Sequence, residues 1–408
     1  YEALLERVAR AVESTLDFPP PEPRVRGLRD LRPWLRASLA LARLWRDLPQ
    51  TTQVLFGSAS EFLDEWFESE PLRGTLATDA VIGAFAGPRM PGTGYVLFHH
   101  VMGSVTGNRG VWAYVAGGMG ALPEALAGSA RSAGVTIRTE AETLRIQIAG
   151  GRATGVVLAG GEEITADAVV SSADPAVTFG RLTGWELLPN EFTRAVRTLD
   201  YRSPVFKINL VLDRAPVFRI RDRDQVPPLS GTIHVGSPTL ESIQTAFDEA
   251  SCGEVSERPM AELTIPSMVD PTLAPAGKYV ASIFAQYAPA LAADDARWST
   301  LRDQAQKRVL MLLEEVAPGF TDSVCEIEVL APPDLESIFG LTGGNIFHGA
   351  MTPGRLFFAR PTPGWVRYRT PVSGLYLCGA GTHPGGGIIG ACGRNAAREI
   401  ACDLRRRR

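Results

Sequence analysis

Apolar positions recur at two different periods along this chain, and the change of period divides it. Through about Leu76 the spacing is helical: Leu4, Leu5, Val8 and Val12, then Leu39, Leu41, Leu44 and Trp45 after Pro33, then Phe62, Leu63, Trp66 and Phe67. Each set predicts a helix with one apolar face. Arginines interrupt the stretch from Leu31 to Trp45, a pattern that permits a helix lying on a membrane surface, with packing against a sheet as the expected use. From Gly117 the pattern shortens. Gly117-Gly118-Met119-Gly120 reads as a turn opening a helix, and Val135 to Arg138 reads as a strand. Leu144 to Ile148 and Ala153 to Ala159 flank Gly150-Gly151, a hairpin signal; Glu163 to Thr165 follows, and Ala168 to Ser172 runs an apolar strand into small polar residues. Beyond Thr193, alternation marks strands at Val205 to Leu212, Thr232 to Val235, Glu262 to Ile265 and Tyr279 to Tyr287, and a helix covers roughly Trp298 to Val316. Antiparallel strands with helices to one side predict an α+β domain.

Near the carboxy terminus an apolar strand, Leu375 to Cys378, runs into Gly379-Ala380-Gly381-Thr382-His383-Pro384-Gly385-Gly386-Gly387 and then into a helix beginning near Ile388. Backbone amides converge in such a turn, where an anionic or polar cofactor group can sit. Gly385-x-Gly387-x-x-Gly390 matches the letters of the dinucleotide fingerprint but not its context. That fingerprint needs a strand directly before its first glycine, a second parallel strand, and an acidic residue about 20 residues on. The chain instead closes in Arg405-Arg406-Arg407-Arg408, which reads as a solvated helix end.

Composition narrows the reading only slightly. At 408 residues, 45% hydrophobic and 21% charged, the chain has room for two or three domains with large cores. A net charge of −4 gives no pull toward nucleic acid. The five cysteines form no CxxC pair, so neither a disulfide framework nor a metal site is expected. No apolar run approaches the length of a membrane span. Only Lys207, Lys278 and Lys307 among the 41 basic residues are lysine, which points to a GC-rich bacterial genome. The chain opens inside a helical pattern without an initiator Met, and a fragment of a longer protein is expected.

The segment from Leu375 to Gly390 resembles the carboxy-terminal flavin signature of phytoene desaturases and their relatives in the carotenoid/retinoid oxidoreductase family. Ala166-Asp167-Ala168-Val169-Val170-Ser171-Ser172-Ala173-Asp174-Pro175 resembles an internal signature of the same group. More narrowly, the chain is similar to the subfamily named for a pyridine nucleotide-disulphide oxidoreductase domain. Blocks that carry this likeness include Trp66-Phe67-Glu68-Ser69-Glu70-Pro71-Leu72, Leu76-Ala77-Thr78-Asp79-Ala80-Val81-Ile82-Gly83-Ala84, His99-His100-Val101-Met102-Gly103 and Gly343-Gly344-Asn345-Ile346-Phe347-His348. They span essentially the whole chain. Family members begin with a strand, a GxGxxG turn and a helix that bind the adenosine diphosphate of FAD, and nothing upstream of Gly83 matches that unit.

The resemblance implies an α/β plus α+β fold: an incomplete FAD-binding Rossmann-like domain joined to a mixed-sheet substrate domain, like that of amine oxidases and phytoene desaturases. It divides the chain into a helical part of the substrate domain at 1–110, FAD-domain segments at 111–185 and 368–408, and a substrate-binding α+β domain at 186–367. The strand from Leu375 to Cys378 would lie beside the first strand of the absent unit, leaving an unpaired edge and a chain that binds FAD weakly or not at all by itself. Gly379, Ala380 and Gly381 are implied to approach the pyrophosphate and ribitol, Gly387, Ile388 and Ile389 the pyrimidine side of the flavin, and Thr143, Ser171 and Ser172 the adenine side. No acidic residue falls within Gly379 to Thr382, so flavin contacts would be mostly backbone. His383, His348 and Asn345 are candidates for shaping or polarising the substrate pocket, whereas His99 and His100 read as packed core histidines.

The function implied is an FAD-dependent oxidoreductase, desaturase- or dehydrogenase-like, acting on an apolar, polyene-like small molecule, with peripheral membrane contact permitted. Two alternatives stand beside it: a redox-neutral flavin-dependent isomerase, and a non-catalytic binding or regulatory protein on the same fold. The expected compartment is the cytoplasm for a bacterial protein and the mitochondrial matrix for a eukaryotic one.

Overall fold

In chain order the strands are β1 (Ser104–Val105), β2 (Asn108–Arg109), β3 (Thr143–Ala149), β4 (Arg152–Leu158), β5 (Glu163–Thr165), β6 (Val169–Ser171), β7 (Val205–Leu212), β8 (Ile233–Val235), β9 (Met260–Thr264), β10 (Tyr279–Gln286), β11 (Val324–Leu330) and β12 (Leu375–Leu377). They come from a computed structural model that describes residues 1–21, 28–105, 107–219 and 229–407. The chain divides into two compact units, one of Tyr1–Gly57, Glu140–Arg202 and Glu336–Arg408, the other of Ser58–Thr139 and Ser203–Leu335.

This division differs from the sequence-based one. Tyr1–Gly57 clusters with the carboxy-terminal segment rather than with residues 58–110, because the last helix, Ala391–Arg407, grips the end of the first, Glu2–Leu16. Asn395 Nδ2 donates to the Leu16 carbonyl at 2.8 Å, Arg398 Nη1 donates to the Asp17 carbonyl at 2.8 Å, and Arg394 pairs with the Asp17 carboxylate. Residues 111–139 cluster instead with the second unit.

In the first unit β3, β4 and β5 form an antiparallel sheet. The β3–β4 turn is Gly150-Gly151, with φ of 54° and 72°; positive φ at both central residues is what a tight two-residue hairpin requires. β6 and β12 pair in parallel, Leu375 opposite Val169 and Leu377 opposite Ser171. The second edge of β12, expected to be bare, is covered: Leu377 N donates to the Tyr368 carbonyl at 2.8 Å and Thr370 N to the Leu375 carbonyl at 3.3 Å. Residues 368–370 are the neighbour that sequence periodicity did not reveal. Ile146, Ala153, Val169, Phe179, Phe192, Val196, Leu375 and Leu377 share this unit's core.

In the second unit the five-stranded sheet runs β11-β7-β10-β9-β8, and every pairing is antiparallel, as the strand alternation predicts and in place of the mixed sheet that the resemblance implies. Alternation puts Phe206, Ile208, Leu210, Leu212, Ala261, Leu263, Ile283 and Ala285 on one face. The helix Trp298–Val316 covers that face with Trp298, Leu301, Ala305, Val309, Leu312 and Leu313, spaced by about one helical turn. Val135 to Arg138 is not a strand: Val135 and Ile137 are exposed and pair with no strand among the described residues.

Candidate functional site

The carboxyl ends of β6 and β12 lie side by side, the position in a parallel sheet where strand-end loops form a binding crevice. Cys378 N donates to the Ser171 carbonyl at 2.9 Å, so the loops that follow leave the sheet in contact. A Cβ at Gly379 would stand 2.1 Å from the Ser172 carbonyl oxygen, and one at Gly381 2.7 Å from Pro175 Cδ. Both positions therefore demand glycine for a packing reason, before any ligand is considered. The Ser171 hydroxyl is 2.7 Å from that of Thr178, inside the unit, while Ser172 is exposed. Asp174 ties this loop to another: its carboxylate accepts from Val177 N and from Thr342 N, each at 2.9 Å.

His348 and Asn345 stand beside these loops. Asn345 is spent on structure: Nδ2 donates to the Arg202 carbonyl at 2.9 Å, and Oδ1 accepts from Phe347 N at 3.0 Å and Gly349 N at 3.1 Å. That turn presents His348, at φ 57°, with Nδ1 buried and without a hydrogen-bond partner, 3.3 Å from where a Gly379 Cβ would be. Burial lowers the His348 pKa, with Asp174 opposing and Arg360 adding to the shift. His383 is 1% exposed and is pushed down to about 4 by burial, so its ring is neutral at pH 7. Its Nε2 lies 3.4 Å from the Thr15 carbonyl, and its own carbonyl accepts from Tyr368 Oη at 2.8 Å.

Sequence reading passed over Arg360, which organises this region. Its side chain is buried and donates to the carbonyls of Ala380 at 2.9 Å, Gly349 at 3.1 Å and Phe347. One guanidinium thus fixes the glycine loop and the His348 turn together. The positions expected at the pyrimidine side lie further on. Gly387, Ile388 and Ile389 are exposed in a turn before the helix Ala391–Arg407, which starts three residues later than expected. Thr143 is not gathered here; it stands in the antiparallel sheet opposite Leu158.

A second constellation, in the other unit, was also missed. On the face of the five-stranded sheet opposite its core, Leu330, Lys207, Phe284, Glu262 and His234 form one cross-strand row. Glu262 Oε1 is 3.6 Å from His234 Nδ1 and has no hydrogen-bond partner. The Thr78 hydroxyl lies 2.7 Å from the Thr75 carbonyl and 3.3 Å from His234 Nδ1. His100 Nδ1 lies 2.9 Å from the Val96 carbonyl, which only accepts. His100 Nδ1 is therefore the donor in that contact. Gln286 ties down the turn that follows Asp79 in sequence, accepting from Gly83 N at 2.8 Å and donating to the Val81 carbonyl at 2.9 Å. Burial first and the Asp79 charge second push Glu262 up to about 7. Asp79 is raised as well, by burial, against the pull of His100 and His234. These four residues are scattered from 79 to 262, and no local motif links them. Among the described residues no group of His, Cys, Asp and Glu is arranged to hold a metal ion.

Among protein families, residues 30–401 match the one described as flavin containing amine oxidoreductase. The rat protein named pyridine nucleotide-disulfide oxidoreductase domain-containing protein 2 is 47% identical, over 99% of this chain and 72% of its own length. A hydroxyneurosporene desaturase of Cereibacter sphaeroides is 30% identical over 72% of this chain and 55% of its own. Among solved structures, an oxidoreductase from Methanosarcina mazei superposes with a TM-score of 0.55 at 20% identity, covering 88% of this chain and 72% of that one; at that identity the likeness speaks for the fold.

Proposed function

Because the chain belongs to the flavin containing amine oxidoreductase family, we propose that it is the catalytic portion of an FAD-dependent oxidoreductase, desaturase- or dehydrogenase-like, for an apolar substrate. The observation that carries this reading is the crevice at the carboxyl ends of β6 and β12, where Gly379 and Gly381 let two strand-end loops meet.

The residues fit the flavin end of FAD. Gly379, Ala380 and Gly381 offer backbone to its chain. The exposed turn at Gly387, Ile388 and Ile389 leads into a 17-residue helix whose amino terminus favours negative charge, as a reduced flavin would carry. For the adenosine diphosphate end no strand–GxGxxG–helix unit occurs among the described residues. When bound, the flavin supplies the hydride acceptor. The chain's own residues do the rest: Arg360 holds the glycine loop, and burial keeps His348 and His383 from taking up a proton that would repel a cationic neighbour or perturb the pocket.

The apolar substrate is supported by the desaturase relative, whose name gives hydroxyneurosporene as what that protein acts on. Within the second unit, Phe284 is the cross-strand neighbour of the largely buried Glu262. A carboxyl poised at about 7 can both take and give a proton at neutral pH, which favours a double-bond isomerase as the second reading. The test is a visible spectrum and flavin extraction of the natural full-length protein, then anaerobic titration with polyene and amine substrates. Bleaching of the flavin by a polyene is expected. Colourless protein that FAD cannot reconstitute sinks the enzyme reading, and bleaching by an amine alone sinks the apolar substrate. Double-bond migration without net bleaching selects the isomerase.

A further inference from the structure

The helix Leu28–Arg43 is packed with its small side inward. Ala40 and Leu44 are buried and Pro33 and Ala37 half-buried, a stripe at spacings of four, three and four. The larger apolar side chains face out. Leu31 is 47% exposed, Leu35 62%, Leu39 52% and Leu41 60%, and Trp45, just beyond the helix, 74%. This overturns the sequence expectation that the helix buries these leucines against a sheet. At 100° per residue the outward leucines span an arc of about 160°. Arg32, Arg36 and Arg43, all exposed, form a stripe along one flank, with the Arg36 guanidinium lying over the Phe18 ring. Between residues 28 and 46 the sequence has five arginines, Arg29, Arg32, Arg36, Arg43 and Arg46, against one acid, Asp30.

We propose that this helix lies on an anionic lipid surface, with Leu31, Leu35, Leu39, Leu41 and Trp45 in the acyl boundary and the arginine flank at the phosphates. Charge decides the occupant. A second copy would bring an equally basic helix against this one, whereas a negatively charged leaflet complements it. Arginine stems reach upward from an apolar face to the headgroup level, and tryptophan favours the same zone. The described helices include none long and apolar enough to cross a membrane, so the helix lies on the surface. The proposal is independent of the flavin reading.

The test is cosedimentation of the chain with vesicles of phosphatidylcholine alone and of phosphatidylcholine mixed with phosphatidylglycerol. Binding to the anionic vesicles is expected, weakening severalfold from about 0.05 to about 0.5 M salt. Replacing Leu35, Leu39 and Leu41 by serine should lower partitioning at least about a hundredfold. These side chains are exposed, so a circular dichroism melt should match that of the parent. Arg32→Glu with Arg43→Glu should abolish the preference for anionic lipid while leaving that melt unchanged. Absence of binding to either vesicle overturns the proposal, as does binding that ignores these substitutions. A dimer that the serine variants disperse, without vesicle binding, overturns it in favour of a contact between copies.

Discussion

Glu262 illustrates what a single residue contributes once the fold has surrounded it. In the unfolded chain its carboxyl ionises near 4.5, and in the folded protein near 7. Below pH 4.5 both states hold the proton; between the two values the unfolded chain loses it and the folded protein keeps it. Stability therefore falls as pH rises through that window, by on the order of 3 kcal/mol, and changes no further above it. His234, with its pKa lowered by burial, acts the opposite way on acidification, so the parent's profile alone does not isolate Glu262. Glu262→Gln does. Urea denaturation should find the Gln variant more stable than the parent at pH 8 and no more stable at pH 4; a parent that is the more stable at pH 8 would mean the carboxyl is well solvated. None of this was legible in the sequence. His100 reads as a core histidine because the charge it acts on, Asp79, lies in another element, and Glu262 reads as one polar position of an alternating strand because its partner is set by cross-strand register.

At the scale of elements, legibility followed whether a signal was local. The helix Trp298–Val316 and the strand Val205–Leu212 carry their periods within themselves, and both were read with the bounds they have. The Gly150-Gly151 hairpin is equally local. The helix expected near Ile388 begins at Ala391 because Gly387 and Gly390 take positive φ, 136° and 63°, and keep the intervening residues in a turn. The glycines of the crevice were found, but their reason was not, since it lies in a loop two hundred residues earlier. That reason is measurable. Gly379→Ala drives a methyl onto the Ser172 carbonyl and should cost about 3 kcal/mol or more. Gly150→Ala, at φ 54° with nothing within 4 Å, should cost about 1 kcal/mol. Denaturation of the two variants side by side checks the order, and equal costs would show that the strand-end loops separate easily.

For the whole molecule, the two units have separate cores, and each draws on segments far apart in sequence. The division that the resemblance implies sets residues 1–110 apart from 368–408. Here the clamp of Asn395, Arg394 and Arg398 on the end of the first helix joins the two ends of the chain instead. If the crevice in the first unit is where FAD binds, its binding energy enters the protein through that unit's strand ends. A ligand stabilises the conformations that bind it, and local openings of those segments are suppressed first. Hydrogen exchange on the natural full-length protein, flavin-loaded against flavin-stripped, should therefore show the largest gain in protection at residues 171–175 and 377–390, with the His348 turn following because Arg360 couples it to the glycine loop. The hydrogen-bonded interiors of β7 and β10, closed by pairing on both sides, should change least. The reverse order, with β7 and β10 gaining most and the loops after β6 and β12 unchanged, would move the flavin away from the crevice and leave Gly379 and Gly381 with the packing role that their close contacts already require.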